Sequence, residues 1–275
     1  MSWWDDAVHR AVAEAILIGA LTGLVGVRVV PRRLSFFTMA LTHATFPGVV
    51  AAAIIGVNIY LGGALAGIMV ALGVAALSRN RGQNAAAATG VLLSGGFALG
   101  VALVATQDGF SRDLSSFLVG SILTVSTGDV ATTAAVLAVL MVVVSVTARP
   151  MLFTGFDAEG ARAAGIRTGT VDLVLLLSVE VVIVTAVPAI GAILAVALIV
   201  APAAAARMFS DRPPIVTALA MTFGVLSGLS GLSISGRFNV AAGAAITLTA
   251  TTVLLLSLLL TRAAALLQTR RTMTP

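Results

Sequence analysis

Apolar runs long enough to cross a bilayer recur from one end of this 275-residue chain to the other, and they restrict it to one kind of fold. Divided at its charged residues, the sequence gives candidates at 13–31, 35–57, 60–78, 85–105, 130–148, 170–187, 190–206, 215–233 and 240–261. A helix needs roughly 20 apolar residues to span the hydrocarbon core, which these runs approach or reach. Inside lipid every backbone N–H and C=O must find its partner within the structure, and runs of this length can do so as helices. The expected fold is all-α, a polytopic transmembrane helical bundle forming a single domain over residues 1–275. Pro188, Gly191 and Pro202 interrupt residues 180–206, and Pro47-Gly48 sits inside the second run, so broken helices bring the expected count to eight or nine.

Hydrophobic residues make up 59% of the chain and charged residues 10%, against about 25% in soluble domains, so the surface cannot be clothed in water. The opening MSWWDDAVHRAVAE lacks a basic segment followed by a small-residue cleavage site. Its two tryptophans beside acids suit an interfacial anchor instead. Cysteine is absent, which removes disulfides, thiolate metal sites and thiol nucleophiles. All 16 cationic residues are arginine, so there is no lysine for a Walker A loop or a Schiff base. If ATP drives this protein, another chain binds it.

A basic chain can signal nucleic acid, but here the placement of the arginines matters more than their sum. Arg28, Arg32, Arg33, Arg79, Arg81, Arg149, Arg162, Arg167, Arg207, Arg212, Arg262, Arg270 and Arg271 fall on one side of the alternating topology. Arg10, Arg112 and Arg237 fall on the other. The positive-inside rule then puts the N-terminus outside and the C-terminus in the cytoplasm. A membrane lipid environment, and no nucleic-acid partner, follows.

Two connections are longer than they need be. The outer one, Thr106 to Asp129, contains DLSSFLVGSILTV, apolar enough to lie at the interface or dip into the protein. The inner one, Arg149 to Thr168, contains FDAEGARAAGIR. Asp157 can cap a short helix, Glu159 suits its first turn and Gly165 can end it. Such a helix fits a docking element as well as it fits a solvated connector. The basic tail TRAAALLQTRRTMTP is expected to fray.

Three constellations carry possible chemistry. In LSFFTMALTHATFPG, positions Ser35, Thr38, Thr42 and Thr45 share a helical face, with Met39 and His43 one turn apart on its flank. A polar stripe in lipid must face protein, water or a passing solute. Imidazole is a ligand for zinc, manganese or iron and thioether sulfur prefers softer ions, yet one histidine is too few for a closed cage and suits a transient relay. Glu180 stands in the apolar run VDLVLLLSVEVVIVTAV, where a charge costs at least about 2.5 kcal/mol, so it is protonated, paired or facing a cavity. It offers a second cation or proton contact. Asp172 lies nearer the inner boundary. Finally, Gly228-Leu229-Ser230-Gly231 matches the pattern around the serine of rhomboid-type proteases, with His43 as conceivable base; the same small-residue run also suits helix packing.

Taken together the chain resembles the permease subunits of ABC importers for divalent metal ions, the zinc and manganese group. The resemblance rests on Val29-Val30-Pro31-Arg32-Arg33-Leu34 leading into Ala40-Leu41-Thr42-His43-Ala44 and Pro47-Gly48, on Leu118-Val119-Gly120-Ser121-Ile122-Leu123, on Phe156-Asp157-Ala158-Glu159 with Ala161 and Gly165, and on Ala197-Leu198-Ile199-Val200-Ala201-Pro202-Ala203-Ala204. It implies an importer of manganese, zinc or iron, located in the cell (inner or plasma) membrane. It implies two cytoplasmic ATP-binding subunits, an extracytoplasmic metal-binding protein, and a second permease copy, identical or paralogous. No cofactor is expected in this chain and ATP is expected in the partner subunit. Asp157, Glu159, Ala161 and Gly165 would belong to the ATPase-coupling loop, and His43, Met39, Thr42 and Glu180 to a transient metal path. The family's acid one turn before the histidine falls here on Met39. Either Glu180 supplies the missing acid, or the substrate differs, a metal chelate being one alternative and a proton- or sodium-driven carrier another.

Overall fold

The computed structural model describes residues 6–77, 85–106 and 120–272 of the chain. Eleven helices are described: α1 (Ala7–Val29), α2 (Ser35–Ala44), α3 (Phe46–Ile55), α4 (Ile59–Leu77), α5 (Ala85–Ala105), α6 (Thr127–Phe156), α7 (Ala158–Ala163), α8 (Thr168–Ile190), α9 (Ala192–Arg207), α10 (Pro213–Phe238) and α11 (Ala242–Thr272). A 3₁₀ turn, Ile122–Thr124, precedes α6, and no strand occurs among the described residues. A helix lies over each of the nine apolar runs, the second being the α2–α3 pair. Six segments are long and apolar enough to cross a membrane: α1, α2–α3 together, α6, α8, α10 and Ala242–Ala264 of α11. Ile59–Val74, Thr89–Ala105 and Leu194–Arg207 are shorter apolar helices.

Burial sorts the helices into layers. In the most apolar window, 67% of α1 and 61% of α8 is buried, against 22% of α6 and 28% of α11, so α1 and α8 form the centre while α6 and α11 keep apolar faces turned outward. Leu175, Val179, Val182, Ile183 and Ala186 of α8 join Ile18, Leu21 and Val25 of α1 and Leu198 and Ile199 of α9 in one buried cluster. Lipid tails are as apolar as leucine, so close packing between helices, more than exclusion of water, holds such a cluster together. The α1–α10 pair shows how. A methyl on Gly19 would strike the backbone of Gly224, one on Gly23 the backbone of Ala220, and one on Gly228 the backbone of Ala15. Small residues let the two backbones touch.

Several boundaries differ from the sequence division, each for a local reason. Helix α1 begins at Ala7, six positions before 13, because the Asp6 carboxylate accepts from the Val8 N–H at 2.9 Å and caps it. Helix α6 does not stop at 148 but runs to Phe156, so the first half of the supposed inner loop is helical. Pro150 withdraws a single backbone donor, and the turn after it is held by Thr154, which donates to the Pro150 carbonyl, and by Arg32, which donates to the Met151 carbonyl. Helix α11 likewise continues through the tail to Thr272. In the interrupted region the break falls at Gly191, with φ 89° and ψ 153°, whereas Pro188 and Pro202 lie within helices. Gly120, at φ 73°, fits against that break, and Ser121 donates its N–H to the Pro188 carbonyl. The remainder of DLSSFLVGSILTV, up to Val119, lies outside the described residues.

Candidate functional site

Helix α2 ends after ten residues at Thr45, and α3 restarts immediately with Pro47 in its first turn, where a missing N–H costs nothing. The break ends α2 partway along the apolar segment, with a half-buried His43 in its last turn. On one side α2 buries Phe37, Thr38, Leu41 and Thr42, all at 5% exposure or less. The threonine stripe satisfies itself: Thr38 donates to the Leu34 carbonyl, Thr42 to Met39 and Thr45 to Thr42. Thr42 thus stands with the buried hydroxyls, its donor already used.

The flank behaves differently. Phe36, Met39 and His43 follow a three- and four-residue spacing along one edge, with Phe36 42% and Met39 38% exposed and His43 half-buried. The His43 side chain makes no hydrogen bond among the described residues; its ring meets Phe97 of α5 edge-on, centroids 5.6 Å apart. Helix α5 comes this close because Gly96 lies against Ala44 and Gly100 against the Phe46 ring. A polarizable thioether and a free imidazole thereby share an open face walled by aromatics.

Glu180 is elsewhere in the interior. It is 1% exposed on α8, and both carboxyl oxygens lack a hydrogen-bond partner among the described residues. Its carboxyl fills the space a side chain on Gly67 of α4 would need. Helix α8 touches both α2 and α4, but no hydrogen bond joins Glu180 to His43. Among the described residues no group of three or more histidine, cysteine or acidic side chains comes together. One chain alone offers scattered ligands, not a cage.

At the arginine-rich end, α7 is a single capped turn and a half. The Asp157 carboxylate accepts from the Gly160 N–H at 2.8 Å, Glu159 lies in the first turn and Ala161 is fully buried. Gly165, at φ 81°, ends it: its N–H bonds the Arg162 carbonyl and the Ile166 N–H bonds the Ala161 carbonyl, the two bonds of a Schellman turn. Asp157 and Glu159 face solvent.

The profile of the ABC 3 transport family matches residues 5–261, almost the whole chain. This chain belongs to the ABC 3 transport family. The manganese transport system membrane protein MntC of Halalkalibacterium halodurans is 33% identical over 250 residues, covering 91% of this chain and 86% of that protein. The manganese import system permease protein ScaB of Streptococcus parasanguinis is 32% identical over 250 residues, 91% of this chain and 89% of its own. Among solved structures, PsaBC from Streptococcus pneumoniae in complex with Fab superposes with a TM-score of 0.84 at 32% identity, covering 91% of this chain and 90% of that one. As a member of this family with several apolar helices of spanning length, the protein is a multi-pass protein of the plasma membrane.

Two polar features of this ABC 3 protein escape a sequence reading. Glu14 of α1 is 1% exposed and accepts from the Thr133 hydroxyl of α6 at 2.7 Å, while nearby Tyr60 donates to Asp129, also at 2.7 Å. The available signal was an acid placed one residue inside the first apolar run. The second is Arg32, which reads as topology punctuation and turns out to hold three partners. The protease pattern, in contrast, dissolves into packing: Gly228 lies on Ala15, and the Ser230 hydroxyl donates to the Leu226 carbonyl of its own helix.

Proposed function

We propose that this chain is the permease subunit of an ATP-driven importer of divalent metal ions, with manganese the first candidate and zinc or iron next. The observation that carries the reading is the match in sequence of nearly the entire chain to proteins named as a manganese transport system membrane protein and a manganese import system permease protein, together with its match in shape to PsaBC. The chain crosses the membrane in eight or nine segments, with its N-terminus outside and C-terminus in the cytoplasm, as the arginine distribution implies. ATP is bound and hydrolysed by separate cytoplasmic subunits that dock on α7, and an extracytoplasmic protein delivers the ion.

The open edge of α2 lines the path. His43 and Met39 face away from the chain's own core, so a second permease copy, identical or paralogous, brings a second pair across the central axis and supplies the ligand number that one chain lacks. Thr42 offers only its acceptor lone pairs, through the wall behind that edge. Glu180, closed off between α8 and α4, can serve as the acid of this path only once α4 moves off it; its carboxyl oxygens have no hydrogen-bond partner among the described residues and stand in for the family's acid at Met39. The soft sulfur at Met39 favours a second reading within the same family, import of a metal chelate, in which the aromatic-lined edge contacts the chelator.

Reconstituted in proteoliposomes with its ATPase and binding protein, the complex should take up manganese(II) only when ATP is hydrolysed. His43→Ala should lower that uptake at least about tenfold, the loss of roughly 1.4 kcal/mol of transition-state or site binding, while leaving assembly intact. Unchanged uptake by the variant would show that the histidine merely packs against Phe97.

A further inference from the structure

Arg32 sits in the turn between α1 and α2, three residues before α2 begins. Its guanidinium makes one connection to each flank of α7. One nitrogen pairs with the Asp172 carboxylate on the second turn of α8, just after the short helix; the other donates to the Met151 carbonyl at 2.8 Å and the Thr154 hydroxyl at 2.7 Å on the last turns of α6, just before it. Gly155 lies close beneath the same group, where a methyl would stand 3.6 Å from Nε. The turn that presents it is fixed as well. Arg33 adopts φ 55°, a left-handed conformation uncommon for a residue with a side chain, and the Leu34 N–H closes the turn on the Val29 carbonyl.

This makes a short rigid chain of parts. Helix α7 cannot shift along or across the membrane face without carrying the end of α6 and the start of α8, since it is joined covalently to both through only a few residues. Arg32 grips both ends, and from Arg32 only Arg33 and Leu34 lead into α2, a ten-residue rod that carries Met39 and His43. Arginine suits the task because its planar fork can hold a carboxylate and backbone carbonyls at fixed angles at once, which an ammonium on a flexible stem cannot.

We propose that the Arg32 guanidinium is the positioning link by which movement of α7, on docking or release of nucleotide in the ATPase, is passed to α2 and the metal-facing edge. It rests on the reading of α7 as the ATPase-docking helix, and it adds a residue that touches neither the ATPase nor the ion. Two other connections could serve in its place, the direct packing of α2 on α8 and on α9. The buried face of α2 carries Phe37, Thr38, Leu41 and Thr42, whose hydroxyls bond their own helix, so this packing holds α2 less firmly than a three-point clamp that includes an ion pair.

The test uses the full complex of permease, ATPase and binding protein in proteoliposomes, with manganese(II) as probe. ATP hydrolysis, manganese taken up per ATP, and the amount of ATPase co-purifying are measured for wild type, Arg32→Gln, Asp172→Asn and Thr154→Val. The expected result is normal co-purification and continued hydrolysis, with manganese per ATP reduced roughly 5- to 150-fold in Arg32→Gln, the usual range of coupling between two sites. Asp172→Asn and Thr154→Val, which each remove one contact, should give smaller reductions of the same kind. If Arg32→Gln fails to assemble, these two decide the matter. An unchanged ratio of manganese to ATP in the assembled variants overturns the proposal. Glu159→Cys, treated with a photoactivatable thiol-linked cross-linker, should also cross-link to the ATPase; failure to do so, with an intact complex, overturns the docking reading and the link with it.

Discussion

Gly67→Ala should cost stability through a single contact, the Glu180 carboxyl. A methyl built on Gly67 falls within the volume that this carboxyl occupies, and Glu180 is 1% exposed, so the side chain has no solvent to swing into. Either α4 moves from α8 or the glutamate leaves its rotamer, and overpacking of this sort costs about 1–3 kcal/mol. Glu180→Ala is a different perturbation. It opens a void, which destabilises, and removes a buried polar group without partners, which relieves about 1–3 kcal/mol. These offset, so the single variant should change stability little. In the double variant the alanine methyl at 67 enters the vacated space, and the penalty of Gly67→Ala should vanish, a coupling of about 1–3 kcal/mol between the two sites. Thermal unfolding of the four purified proteins in one detergent reads this out, at roughly 2–4 °C per kcal/mol for a chain of about this size. Gly67→Ala alone should melt several degrees low and the double variant near Glu180→Ala. Strictly additive shifts would refute the assignment of the cost to this contact.

Removing the cap in Asp157→Ala should destabilise α7 by about 0.5–2 kcal/mol and reduce co-purification of the ATPase, whereas Asp157→Ser, which can still accept from the Gly160 N–H, should retain most of it. Glu180→Gln preserves shape but cannot carry a negative charge; manganese uptake should fall if this acid belongs to the path, with normal uptake assigning Glu180 to packing alone. Ser230→Ala ought to leave uptake unchanged in the same assay, because its hydroxyl is occupied by the Leu226 carbonyl of its own helix.

What the sequence discloses follows the range of the forces involved. The apolar runs and the Asp157–Gly165 punctuation act within a few residues, and the helices and the capped α7 stand where those signals put them. Helix ends that depend on distant partners do not show: the charged break at Arg149 closes the run at 148, whereas the helix continues to Phe156 with Arg32, far away in the chain, holding the turn beyond Pro150. The polar stripe of α2 misleads for a related reason. A threonine hydroxyl can satisfy itself on the preceding turn, so the stripe marks a buried face and leaves the open edge to Met39 and His43. Glu14 was invisible because an acid near the end of an apolar run looks interfacial until Thr133 is placed opposite it. The contact of Glu180 with Gly67 and the pairing of Arg32 with Asp172, 140 positions apart, exist only once the helices have packed.

Where α1 and α10 meet through Gly19, Gly23, Gly224 and Gly228, backbone touches backbone with no side chain between. Rotamers normally supply the give that lets one helix slide over another, and at these four glycine positions there are none. A slip by a single residue would drive a Cβ into a carbonyl on the facing helix. The glycine seam therefore resists sliding of α1 over α10, and any change in their register would need the two helices to separate first.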